Sequence, residues 1–372
     1  MNRISKRDFI RLSALGAGGL LCPVSGFATP DKKHPGKFSR EAIWYTVTPR
    51  GVVCGICPNE CTLRPGEVSI CHNRVNIGNK LYSIAYGNPC AIHVDPVEKK
   101  PLFHFLPQTR AFSIATAGCN FACLNCQNWQ ISQTSPDKTT NADLMPDAVV
   151  ANCIRNDCAS IAYTYSEPIS FYEYMFDTAR IARNAGIKNV MVSNGYINPE
   201  PLKALVPFLD AANIDLKCFG NTLHLKLTGG KLQPVLDTLV TLQKSEVWLE
   251  ITNLVVPSWS DDLEMIGKMC RWLSTNGFRE VPLHFSRFSP LHKLTQLPVT
   301  PLSTLLKARE IAMGEGLLYV YIGNVPGKGF ENTVCPGCGK TVVERRGFTQ
   351  LSNHLTTGKC SYCNAPVAGV WQ

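Results

Sequence analysis

The chain has 372 residues, 45% hydrophobic and 17% charged, enough to bury a full core and too apolar for a disordered chain. Six of its nine net positive charges fall in the first forty residues, where eight Lys and Arg face Asp8 and Asp31. The rest shows no basic stripe interleaved with stacking aromatics, which argues against a nucleic-acid partner.

In chain order, residues 1–28 have the form of an export leader. Ser5-Lys6-Arg7-Asp8-Phe9-Ile10 resembles the twin-arginine pattern, with Lys in place of the first Arg. An apolar run, Leu12 to Leu21, precedes a small-x-small cleavage site at Gly26-Phe27-Ala28. That run is too short and too rich in glycine to span a membrane. Export of a folded protein is the expectation; a basic N-terminus that is never exported is the alternative.

Residues 54–110 form a cysteine-rich N-terminal segment. Residues 111–325 then alternate strand and helix patterns. Strands are expected at Ala111–Thr116, Ser160–Tyr165, Lys188–Ser193, Ala211–Leu216, Val247–Val256 and Val281–Phe288. Helices are expected at Asp143–Asn156, Ile169–Ala185, Pro199–Leu209, Lys231–Lys244, Asp261–Thr275 and Pro301–Glu315. Six such units imply a parallel sheet, because each crossover returns the chain in the same direction. The tail, 330–372, changes character and carries cysteine pairs.

Seventeen cysteines suggest disulfides only in a much smaller secreted chain, and eleven of them fall into three clusters with metal-ligand spacing. Cys119, Cys123 and Cys126 read C-x3-C-x2-C in a loop after the first expected strand. A [4Fe–4S] cluster normally takes four thiolates, so three leave one iron open. Cys335, Cys338, Cys360 and Cys363 read C-x2-C-x21-C-x2-C, a closed tetrahedral set of the zinc-ribbon kind. Cys54, Cys57, Cys61 and Cys71 read C-x2-C-x3-C-x9-C, which suits either a structural zinc knuckle or an auxiliary iron–sulfur cluster. Of the remaining six, Cys218 stands out because it follows a strand.

The loop GCNFACLNCQNWQIS (118–132) resembles the hallmark of the radical S-adenosylmethionine (SAM) superfamily, although Asn125 stands where an aromatic residue is usual. Within it the chain is most similar to the radical SAM member of the AmmeMemoRadiSam system, itself similar to pyruvate formate-lyase activating enzymes. The resemblance runs from about Val53 onward, through CGICPNEC (54–61), HVDPVEKKPLFHFLP (93–107), AYTYSEP (162–168), SNGYI (193–197), IDLKCF (214–219), VVPSWSDD (255–262), HFSRFSP (284–290) and YIGNVPG (321–327). It implies an α/β fold, a partial (β/α)6 barrel with the cysteine-rich segment before it and the zinc-ribbon-like tail after it. It implies a [4Fe–4S] cluster on Cys119, Cys123 and Cys126 whose open iron chelates SAM. One electron from a flavodoxin- or ferredoxin-type donor then cleaves SAM to a 5′-deoxyadenosyl radical that abstracts hydrogen from a substrate. SAM and low-potential reductants are cytosolic, which keeps a cytoplasmic location open as the alternative to export.

By position, the resemblance places Ser166 and Glu167 at the SAM amino group and Ser193, Asn194 and Gly195 at its carboxylate or ribose. Glu167 is equally suited to cap a helix. Asp215 and Lys217 share one strand face and are expected near SAM and substrate, as catalytic groups or as a mutual salt bridge. His284 and Arg287 are candidates for the adenosyl group or an anionic substrate, or equally a core histidine and a surface arginine. His93, Asp95, Glu98, Lys99, Lys100 and His104 lie in a stretch the resemblance covers without assigning roles. Three functions compete: a radical SAM enzyme working with AMMECR-like and Memo-like proteins, an activase that installs a glycyl radical on a partner enzyme, and a non-catalytic metal or electron-transfer protein.

Overall fold

Small and β-branched residues in runs of four to eight build the sheet at the centre of the protein. The computed structural model describes residues 35–325 and 329–371, so the leader read at 1–28 lies outside the described residues. Eight strands, β1 (Ala91–Pro96), β2 (Arg110–Ala115), β3 (Ser160–Tyr163), β4 (Lys188–Ser193), β5 (Ala211–Asp215), β6 (Trp248–Val255), β7 (Leu283–Arg287) and β8 (Val320–Gly323), form one sheet in sequence order. β2 through β8 run parallel, and β1 pairs antiparallel with β2. Helices join them: α1 (Pro146–Arg155), α2 (Tyr172–Asn184), α3 (Pro199–Leu205), α4 (Asn221–Thr228), α5 (Gln233–Gln243), α6 (Leu263–Thr275) and α7 (Leu302–Gly314). Local start signals are plain: Pro199 opens α3, the Asp262 carboxylate accepts the Glu264 and Met265 N–H groups at the head of α6, and α1 begins at Pro146 rather than at the expected Asp143.

The expected six units become seven parallel strands with an antiparallel edge. β8 has four residues, too few to show alternation, and β1 carries His93 and Asp95, which mask its strand pattern. α4 was not expected either; its end is marked by Gly229 in the left-handed region at φ +84°.

Alternation divides the sheet into two faces. Phe112, Ile161, Met191, Ile214, Ile251 and Phe285 pack against the helices in the main core. On the other face Ala111, Ala162, Val190 and Ala211 meet Val97, Leu102 and Phe105 from the β1–β2 connection. Polar residues follow on that face. Fully buried Glu250 accepts the N–H groups of Phe103 and His104 at 3.0 and 2.8 Å. His104 in turn bonds Tyr321 on β8 and the Ala368 carbonyl.

Both ends of the described chain pack onto this body, and the described residues form one compact unit. Cys54, Ile56 and Cys57 belong to the main core with Phe121 and Tyr196. At the other end the Val370 N–H donates to the His104 carbonyl and the Leu106 N–H to the Val370 carbonyl, both at 2.7 Å. Among the described residues no helix is long and apolar enough to cross a membrane.

Candidate active site

The chain leaves β2 and turns at Gly118, φ +98°, where a Cβ would stand 2.3 Å from the Cys71 carbonyl oxygen. Cys119, Cys123 and Cys126 follow. α4 clamps their loop: the Ala122 and Leu124 N–H groups donate to the Thr228 and Leu227 carbonyls at 2.8 and 2.9 Å. The Phe121 ring covers Gly230, where a Cβ would come within 2.1 Å of it. The Phe121 N–H points at the Cys119 sulfur, 3.3 Å away.

Two other strand ends reach this loop. Glu167, 1% exposed, accepts the Ile169 N–H at 3.0 Å, the Ser193 hydroxyl at 2.7 Å and the Asn194 N–H at 2.9 Å. It caps the short turn after β3 and ties that turn to the end of β4. Burial pushes its carboxyl up to about 7, against those same hydrogen bonds. Asn194 Nδ2 donates to Asn120 Oδ1 at 2.8 Å and lies 3.9 Å from the Cys119 sulfur. Gly195 takes φ +68°, and a Cβ there would meet Ile214 at 2.9 Å. The Ser166 hydroxyl donates to the Thr116 carbonyl at 2.7 Å.

Asp215 and Lys217 make the expected salt bridge, Oδ2 to Nζ 2.8 Å, with 33% and 21% of their side chains exposed. Lys217 also bears on the cluster loop. Burial pushes all three thiols up, Cys123 to about 12, while the ammonium pulls Cys123 and Cys126 back toward thiolate. Ser166, Glu167, Ser193, Asn194, Gly195, Asp215 and Lys217 therefore gather around Cys119, Cys123 and Cys126.

His284 is placed differently. Its Nε2 lies 2.6 Å from Glu250 Oε2, and its ring packs on Phe103 and Tyr321 at 4.8 and 5.1 Å. Arg287 donates from Nε to the Thr300 carbonyl at 2.8 Å. Cys218 is fully buried in an apolar cluster, its sulfur 3.6 Å from that of Met265. Sequence reasoning passed over Asn120, Asn128 and Tyr165. Asn128 Nδ2 reaches the Tyr165 carbonyl at 2.6 Å, and the Tyr165 hydroxyl bonds Asp95, which also pairs with Lys100 at 2.6 Å. The available signal was a polar residue inside each conspicuous motif.

The tail cysteines converge. The sulfurs of Cys335, Cys338, Cys360 and Cys363 all lie within 4.8 Å of one another, with Cys335–Cys363 at 3.6 Å and Cys338–Cys360 at 3.8 Å. Thiolates placed tetrahedrally on one ion at about 2.3 Å stand about 3.8 Å apart.

A family model for the radical SAM superfamily matches residues 113–270. An uncharacterized protein of Methanocaldococcus jannaschii is 46% identical over 332 residues, 88% of this chain and 98% of its own. Pyruvate formate-lyase 1-activating enzyme of Escherichia coli K12 is 25% identical over 202 residues, 53% of this chain and 76% of its own. Among solved structures, Streptococcus suis SuiB bound to S-adenosylmethionine aligns with TM-score 0.45 and 13% identity, covering 61% of this chain and 53% of that one. A domain of pyruvate-formate lyase-activating enzyme from Bacteroides vulgatus aligns with TM-score 0.40 and 15% identity, covering 45% and 99%.

Proposed function

Because the chain belongs to the radical SAM superfamily, we propose that Cys119, Cys123 and Cys126 hold its [4Fe–4S] cluster, with Glu167, Ser193 and Asn194 shaping the SAM site beside it. The protein is a radical SAM enzyme. When bound, the cluster supplies the electron that cleaves SAM, and the adenosyl radical so released takes a hydrogen atom from the substrate.

The residues fit that group. Three thiols in one loop, Cys123 buried and Cys119 and Cys126 half-buried, are all pushed up by desolvation and stay protonated unless a multivalent cation stabilises their thiolates. The chain's own part is positioning. Glu167 fixes the end of β4, so that Asn194 meets both the SAM site and the Cys119 sulfur. Lys217 stands by the loop as a fixed positive charge, balanced by Asp215. His284, placed by the sequence at the cofactor, instead bonds Glu250 on the buried polar face of the sheet.

The observation that carries this reading is the meeting of the ends of β2, β3, β4 and β5 on one three-cysteine loop. The test is anaerobic reconstitution with iron and sulfide, then dithionite and SAM, with 5′-deoxyadenosine measured by mass spectrometry. Its formation excludes the non-catalytic reading. None above background from a fully loaded protein overturns the enzymatic one.

We further propose a protein or peptide substrate, as the likeness to an activating enzyme of a glycyl-radical system supports, and a flavodoxin- or ferredoxin-type donor. AMMECR-like and Memo-like proteins are the other partners the sequence resemblance implies, and co-purification separates the two. Three further readings complete the proposal. The sheet is a partial barrel, a reading supported by His104, just before β2, reaching Tyr321 on β8 at the far edge. The tail binds structural zinc, as its sulfur spacing supports. The leader pattern at Ser5–Ile10 supports export, to be tested with a fusion reporter.

A further inference from the structure

The third cysteine group has no part in the reading above. Cys54, Cys57 and Cys71 are buried and Cys61 is half-buried, in a segment of two small three-stranded sheets beside the cysteine loop. The four thiols feel one another's charge, so they face a common space. Backbone N–H groups of Ile56, Asn59 and Ile70 face the sulfurs of Cys54, Cys57 and Cys61, donors of the kind that favour thiolates.

A buried cation stands behind them. Arg74 is 1% exposed and pairs with Glu173, whose carboxylate also accepts the Ile43 N–H. One guanidinium nitrogen, Nη2, has no hydrogen-bond partner, although it is buried. Cys54 and Cys71 are the thiols that feel this charge. Desolvating an arginine and leaving a donor unmade is costly unless an anion fills the space it faces. Four metal-bound thiolates carry net negative charge and supply one.

The spacing of the sulfurs chooses between metals. Among the described residues, only the four tail cysteines bring three or more such ligand atoms within 4.8 Å of one another, as a single ion requires. The N-terminal four do not, and neither do Cys119, Cys123 and Cys126. A cubane places its core of irons and sulfides between the thiolates and holds them farther apart than one ion does. We propose that Cys54, Cys57, Cys61 and Cys71 hold a second [4Fe–4S] cluster, closed by four protein thiolates, with Arg74 as its buried countercharge.

The two cluster loops share a wall. The Cys71 carbonyl meets Gly118, next to Cys119, and Asn59 Nδ2 donates to the Asn120 carbonyl at 2.8 Å. This inference rests on the loop reading only for its comparison of sulfur spacing, so the test must separate the two. The protein is reconstituted anaerobically and its iron, sulfide and zinc are counted. Wild type is expected to hold about eight irons and about one zinc per chain. A variant combining Cys119→Ala, Cys123→Ala and Cys126→Ala should keep about four irons and an electron paramagnetic resonance signal on reduction. Adding Cys57→Ala and Cys71→Ala should remove both and leave the zinc. About four irons with about two zincs in wild type would overturn this proposal and leave the loop reading standing. Equal iron in wild type and the triple variant would overturn the loop reading alone. Where a variant fails to fold, shown by circular dichroism, the wild-type iron-to-zinc ratio still decides.

Discussion

Glu167 shows how one residue serves two readings at once. Its position suits a helix cap and a SAM ligand, and its carboxylate spends three hydrogen bonds on Ile169, Ser193 and Asn194. Glu167→Gln puts an amide donor against backbone N–H groups that need an acceptor. Hydrogen bonds to charged groups contribute about 1.5–3 kcal/mol, so SAM affinity should fall at least roughly tenfold with iron content unchanged. Calorimetric titration of the reconstituted protein checks this; unchanged affinity would remove Glu167 from the site. His104 was visible in the sequence only as one polar residue in a stretch without roles, because its partners Tyr321 and Ala368 lie more than two hundred residues away. Burial holds its imidazole down to about 4, among Glu250, His284, Arg345 and Tyr321. The unfolded ring takes its proton near pH 6.5, so between those values the unfolded chain binds more protons. Stability therefore falls as pH drops through that window, by at most about 3 kcal/mol. Glu250 is held below the usual carboxylate range, so it adds slope of the same sign only below about pH 4.5. Urea midpoints at pH 7.5 and 5.0 should thus converge in His104→Gln relative to wild type.

At the scale of elements, the helices and strands that sequence pattern placed well are those with both a core face and an end signal. β4 (Lys188–Ser193) matches its expected bounds, and α6 starts where Asp262 caps it. The misses share a physical cause. α4 is short, and its value lies in its last carbonyls, which hold the cysteine loop; backbone bonds of that kind leave no side-chain signature. The same holds for Gly230, which the sequence presents as one of two adjacent glycines and the structure shows to be the floor under Phe121. Gly230→Ala should overpack that contact and cost about 1–3 kcal/mol, with iron loading reduced because the loop is displaced. Phe121→Leu shortens the opposing group. The double variant should recover part of both losses, a coupling that chemical denaturation and iron analysis would register. Strictly additive losses would mean that α4 does not position the loop through this contact.

Across the whole molecule, the tail is tied to the sheet, with Cys335 and Cys360 in one buried cluster with Phe103, Tyr319 and Tyr321. Arg345 donates to the Phe103 carbonyl at 2.6 Å, and Val370 exchanges backbone hydrogen bonds with His104 and Leu106. These contacts join residues 242 or more positions apart, and none follows from local pattern. The four-cysteine spacing was legible in the sequence; that it anchors a segment under the polar face of the sheet was not. A structural ion contributes folding free energy directly, because the unfolded chain holds no preformed site. Cys338→Ser with Cys363→Ser, both exposed positions, removes two ligands without opening a core cavity. The variant should lose the zinc proposed for the tail and melt at a lower temperature. Hydrogen exchange should quicken at Val342–Asn353 and at Val370, whose partners are the tail strands and His104. It should quicken next at Phe103 and His104, whose N–H groups Glu250 accepts. Amides of β4 and β5 should keep their protection, since their partners are neighbouring strands of the sheet. Loss of the bound metal with protection at Phe103 and His104 intact would show that the tail is an appendage, and that Glu250 and the packing of the β1–β2 connection on the sheet hold those amides without it.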